Sequence, residues 1–180
     1  MKKAPDPGQI EKERERLLAH LESAFRNASR AGGVSWSEAG VMDSYGSEED
    51  RAEARASDTD RRWMELVDDP EWDPEEGWGS ACFHFLDPIG FRYYLAAWMM
   101  RILRRSSSGY GLIYHLTLPD DEQSRRSQVE QWSALDRKQR LFVTRFLRFK
   151  VAETEAQLAG FPMDSADWRR AVDSYWGMLD

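Results

Sequence analysis

An all-α, or mainly α, fold of about six helices is what this sequence predicts, arranged as a single compact domain over residues 9–180 with room for one or two short extended segments. Three observations carry the prediction. Apolar side chains recur at spacings of three, four and seven, the signature of one helix face. Helix-start signals precede several of those stripes: Ser35 with Glu38, Ser47 with Asp50, and Asp87 with Pro88. A chain of 180 residues that is 41% hydrophobic also has the material for one buried core.

Taken in order, residues 1–8 read as a disordered lead-in, because two prolines and a glycine fall within them. From Gln9 to about Arg30, the residues Ile10, Leu17, Leu21, Ala24, Phe25 and Ala28 form one stripe, and Gly32-Gly33 closes the helix. Ser35 opens a short helix that stops by Gly46, and Ser47 opens an acidic one over Glu48–Ser57. Trp63, Leu66 and Val67 mark a further helical piece, ended by Pro70. Residues 71–80 lack periodicity and read as a loop. Residues 81–86 read as a strand or an extended lead into the next helix.

Asp87-Pro88 starts a helix to Arg105, with Phe91, Tyr94, Leu95, Trp98, Ile102 and Leu103 on its inward face. Apolar residues lie on its other side too, so it should be the most buried element. Leu112–Leu118, partly β-branched or aromatic and stopped by Pro119, reads as a strand. Residues 120–131 suit a solvated helix. A long helix follows over 134–159, broken by Gly160-Phe161-Pro162, and a last one carries Trp168, Val172, Tyr175 and Trp176. The helices at 88–105 and 134–159 should form the centre, with those at 9–30 and 165–178 packed on them.

Charge is unevenly distributed. The net formal charge is −7, yet residues 43–76 alone hold 14 acids against 4 arginines, leaving the rest of the chain at +3. Within that segment Trp72 and Trp78 stand beside Asp73, Glu75 and Glu76. Tryptophan among acids suits an anchor for a basic partner, with the carboxylates steering its approach. Two bland alternatives exist. The acids can be a solvated face, and the loop can fold back so that its tryptophans plug the protein's own groove or its carboxylates clasp Arg137, Arg140, Arg145 and Arg148.

Catalytic and metal chemistry find little support. His20, Cys82, His84 and His115 match no metal-ligand spacing, so no metal is expected. No nucleophile elbow and no glycine-rich phosphate loop is present, so no cofactor is expected either. The best enzyme-like cluster is His84, Asp87 and Arg92 around a helix start, although a helix cap beside packing aromatics explains the same residues and is the favoured reading. Arg137, Arg140, Arg145 and Arg148 share one helix arc opposite Phe142, Val143, Phe146 and Phe149. That face could touch phosphate, but the overall negative charge disfavours nucleic acid. The longest apolar run, Phe91–Leu103, contains Arg92 and Arg101 and is too short for a bilayer. With one cysteine and no signal-peptide pattern, a cytoplasmic setting is expected.

Four stretches are familiar in combination: Leu21–Arg26, Phe85–Leu95 (FLDPIGFRYYL), Leu116–Pro119, and Leu135–Arg140 running on to Leu147. Together they resemble a bacterial family of small uncharacterised proteins, over roughly residues 20–150. The resemblance implies a stand-alone, mainly helical domain and carries no activity, cofactor or catalytic residue. The leading expectation is a non-enzymatic protein-binding domain, of immunity or antitoxin-like kind. It would recognise a basic partner through Trp72, Asp73, Glu75, Glu76 and Trp78. An enzyme using His84, Asp87 and Arg92 is one alternative; a regulator contacting nucleic acid through the 137–150 arginine face is another.

Overall fold

Local capping chemistry decides where most of the helices begin. The structure, a computed structural model, describes residues 6–59, 61–76, 79–157 and 163–179. In α1 (Pro7–Ala24) proline occupies the first turn, where its missing N–H costs nothing, so the helix starts two residues before Gln9. It ends six residues short of Arg30. Ser29 Oγ accepts the N–H of Ala31, a local turn that competes with helical bonding. Ser35 and Glu38 form a reciprocal capping box that opens α2 (Trp36–Asp43), and Ser47 with Asp50 repeats it at α3 (Glu48–Ser57). Then come α4 (Trp63–Leu66), α5 (Gly79–Cys82) and a 3₁₀ turn at Phe83–Phe85. Asp87 accepts the N–H of Gly90 and starts α6 (Pro88–Arg105) where the Asp-Pro signal predicts it.

Beyond α6 lie α7 (Tyr110–Leu116), α8 (Glu122–Gln131) and a 3₁₀ turn at Trp132–Ala134. Asp136 and Gln139 exchange capping hydrogen bonds at α9 (Arg137–Gln157), so this helix starts three residues later than expected. The chain closes with α10 (Met163–Ser174) and a 3₁₀ turn at Trp176–Leu179. Residues 1–5, the expected break at Gly160-Phe161-Pro162, and Trp78 lie outside the described residues.

Two expectations need correcting. Ten α-helices occur among the described residues, not about six, because four-residue helices such as α4 and α5 are too short to show a periodic stripe. No strand occurs among the described residues, and both proposed extended segments are helical. At 112–116 the buried positions are Leu112, Ile113, His115 and Leu116, while Tyr114 is 73% exposed. A strand would place residues 112, 114 and 116 on one face. The observed pattern is that of a helix turn.

The described chain groups into two compact units. The internal unit comprises residues 27–115 and 119–135, and the terminal unit comprises 1–26, 116–118 and 136–180. In the internal unit α6 is the core: from Gly90 to Leu103 every residue except Arg92 is buried. Each large side chain there contributes roughly 1.5–3 kcal/mol of burial. Against it pack α4, α8 and the 3₁₀ turn at Trp132–Ala134. Gly90 is required by a close approach, since a Cβ there would lie 2.5 Å from the carbonyl oxygen of Val34. In the terminal unit α1 and α10 both pack on α9, whose Phe142, Val143, Phe146 and Phe149 are buried as expected. Among the described residues no helix is long and apolar enough to cross a membrane.

Candidate functional site

The acidic segment is where the sequence concentrates its unusual features, and the internal unit treats its two halves differently. In the loop following α4, Trp72 is only 3% exposed. Its ring meets Trp36 at 5.7 Å edge-on and stacks with Tyr94 at 6.2 Å. Tyr94 in turn accepts the N–H of Trp36 at 2.8 Å. The loop is held from beneath by Arg101 of α6, itself 4% exposed. Arg101 Nη1 donates to the carbonyl oxygens of Val67, Asp69 and Trp72 at 3.3, 3.3 and 2.9 Å, and Nη2 donates to the Asp73 carboxylate. Its guanidinium also lies 6.0 Å from the centre of the Trp72 ring. One buried arginine thus satisfies three loop carbonyls that helix and sheet bonding cannot reach.

The carboxylates of this half are largely occupied. Burial pushes the Asp73 carboxyl up, but the backbone N–H of Glu75 together with Arg101 outweighs it and holds Asp73 below its ordinary range. Asp69 is lowered by its hydrogen bond to Arg61. Asp68 pairs with Arg104 at 3.0 Å. Glu75 is exposed, and its Oε1 accepts from Trp98 Nε1 at 3.4 Å and Ser107 Oγ at 3.3 Å. Glu76 is exposed. The cations that meet the loop's acids here come from its own unit.

The other half reverses the arrangement. Helix α3 buries none of its residues. It is tethered through Arg51 and Arg55, which both reach Glu38, a carboxylate with no exposed surface. The hydrogen bond from Arg55 is the main reason Glu38 stays ionised, against the burial that opposes it. Glu48, Glu49 and Glu53 remain exposed. Just before α3, Tyr45 is 97% exposed and sits at φ +58°, a conformation that tyrosine rarely adopts. Sequence reasoning missed Tyr45 and Arg101. An unpaired aromatic in a Tyr-Gly-Ser-acid run was the available signal for the first; nothing local marks the second.

The residues of the enzyme-like cluster each contact other parts of the internal unit. Asp87 Oδ1 accepts the N–H groups of Gly90 and Val34, at 2.8 and 3.0 Å, and serves as a cap. Arg92 reaches the carbonyl oxygen of Ala134 at 3.4 Å. His84 instead meets His115, ring centres 4.6 Å apart. His115 Nε2 bonds the carbonyl oxygen of Ser80 at 2.8 Å, and its Nδ1 has no partner. Burial, with His84 adding to it, pushes the His115 pKa down to about 3. Desolvation also lowers His84, and burial raises the Cys82 thiol. Among the described residues no group of three or more His, Cys, Asp or Glu is placed to hold a metal.

On α9, Arg137, Arg145 and Arg148 are exposed, and Arg140 donates to Tyr175 Oη at 3.1 Å. Lys150 is buried and paired with Glu153, which also takes Arg14 at 2.6 Å.

No curated protein and no solved structure matches this chain. One family model does match, over residues 13–179, a wider span than the four stretches alone suggest. The chain therefore belongs to DUF6714, a family of unknown function.

Proposed function

We propose that this chain is a protein-binding domain that receives a basic partner on the outward face of α3 and on Tyr45. The observation that carries the reading is a ten-residue helix with no buried residue, attached through two arginines to one internal carboxylate. The helix lies against α2 but buries none of its own residues, so core burial contributes little to it. Its orientation turns Glu48, Glu49 and Glu53 outward, and these acids would steer a cationic surface while Tyr45 supplies a cation–π contact to lysine or arginine. Glu75 and Glu76 add a second exposed acidic patch, with Asp73 holding the loop behind them. Trp72 acts as the anchor of that loop, since its faces are already occupied. Small acidic immunity or antitoxin-like proteins that neutralise a basic toxin are one instance of this chemistry.

The test is affinity capture from the native host with wild type and with the double variant Glu49→Lys, Glu53→Lys, which leaves both arginine tethers in place. The reading expects a partner held by wild type at low salt and lost by the variant. Equal capture by both would contradict it.

A further inference from the structure

The side-chain hydrogen bonds between α3 and α2 converge on the first turn of α2. Arg55 forms a fork on Glu38, with its Nε 2.7 Å from Oε2 and its Nη2 on Oε1, and Arg51 Nη2 reaches the same Oε1 at 3.4 Å. Three residues beyond Arg55, the Asp58 carboxylate accepts the N–H of Ser37 at 2.9 Å and its hydroxyl at 2.7 Å. Arg30 holds the carbonyl oxygen of Asp58 at 3.1 Å. Two adjacent residues of α2, Ser37 and Glu38, therefore receive the polar side chains that tie α3 down. Detaching α3 gives up little apolar burial, since none of its residues is buried, whereas α6 buries every residue from Gly90 to Leu103 except Arg92.

We infer that α3 is a latch: it leaves α2 as a unit while the α6 core stays folded, and Glu38 is the catch that sets how often it opens. Glu38 has no exposed surface while the latch is closed. Closure turns Arg51 and Arg55 onto that carboxylate and leaves Glu49 and Glu53 facing water. Opening frees both guanidiniums beside these acids, which weakens the face for a basic partner. A basic partner on the closed face must then hold the latch shut, because a ligand shifts an equilibrium toward the state it binds better. The link to a partner rests on the reading of α3 as the receiving face, whereas the opening belongs to the free protein. Once detached, a ten-residue helix is too short to persist, so opening exposes its amides to exchange.

Hydrogen exchange of the full chain, followed segment by segment, tests the latch. Amides of α3 should exchange about a hundredfold faster than those of α6, through an opening that α6 does not share. Glu38→Gln keeps the capping contact to the Ser35 N–H, since glutamine serves in a capping box as glutamate does, and removes the charge that two guanidiniums meet. It should speed α3 exchange about tenfold, the scale of one charge-assisted hydrogen bond, and leave α6 unchanged. Asp58→Asn, a milder cut at the second tether, should speed α3 by a smaller factor. Octalysine at low salt, a basic probe for the closed face, should slow α3 exchange in wild type and spare α6. The latch is refuted if α3 and α6 exchange at one rate, if Glu38→Gln or Asp58→Asn speeds both alike, or if both folded variants leave α3 as protected as in wild type. Octalysine that binds without slowing α3 would refute the coupling to a partner. Octalysine that does not bind at all would contradict the partner reading, with the response to Glu38→Gln still deciding the latch.

Discussion

The loop at 67–76 and helix α3 are both acid-rich parts of one segment, and their arginine contacts run in opposite directions. In the loop, an arginine from elsewhere enters beneath the backbone and collects carbonyls around a buried tryptophan. In α3, the helix's own arginines reach inward to a buried carboxylate while its glutamates face water. Net charge alone does not distinguish the two. What distinguishes them is where the counter-charges originate. The half that looks like a binding site by composition, with its tryptophan, is built as structure. The half without a tryptophan buries no side chain and keeps Glu48, Glu49 and Glu53 exposed, whereas the loop leaves only Glu75 and Glu76 outward beyond its anchored tryptophan and Asp73.

If the loop is structural, disturbing it should damage the fold first. Trp72→Ala empties a site packed between Trp36 and Tyr94 and should cost about 3–5 kcal/mol, read by denaturant unfolding. Stability within 1 kcal/mol of wild type would mean the ring does not support the loop. Arg101→Met keeps the aliphatic volume but abandons three carbonyls and the Asp73 carboxylate. We expect a loss of about 3 kcal/mol, the scale of breaking a buried ion pair. An unchanged melting temperature would show that water replaces the guanidinium freely.

A smaller effect comes from pH. His115 has a folded pKa of about 3 against an ordinary 6.5. Between those values the unfolded chain binds a proton that the folded one excludes. Stability should therefore fall as pH drops below 6.5, by up to about 1.4 kcal/mol per pH unit from this group. The variant His115→Gln should flatten the profile between pH 6.5 and 5, and an unaltered slope would remove His115 from the account. Glu38 acts lower: its depressed pKa gives a contribution that is present above about pH 4.5 and lost as pH falls through the folded value. The smallest stability effect belongs to Glu49→Lys with Glu53→Lys, within about 0.5 kcal/mol, because these exposed side chains carry no packing.

Much of this fold was legible because capping is local. Ser35 with Glu38, Ser47 with Asp50, and Asp87-Pro88 lie within three residues of the backbone groups they serve, and the helices start where those signals stand. Helix α7 was misread because aromatic and β-branched residues at 112–118 resemble a strand in propensity, and only tertiary contact shows that His115 is buried while Tyr114 is not. The site was less legible. Arg101 lies 29 residues from the nearest of the carbonyls it binds, Trp72, so no spacing rule could assign it inward. Trp72 among acids suited either a partner anchor or a plug in the protein's own groove, and its burial is that of the plug, with Arg101 satisfying the loop backbone beneath it.

The most direct test of the division between the two halves is partner capture by two variants side by side. Trp72→Phe retains most of the buried ring, and Glu49→Lys with Glu53→Lys reverses the face of α3. With salt held low and both proteins shown to be folded, the account predicts that Trp72→Phe captures the partner as wild type does, while the charge-reversed protein releases it. Loss of the partner by Trp72→Phe, with capture intact after charge reversal, would contradict it.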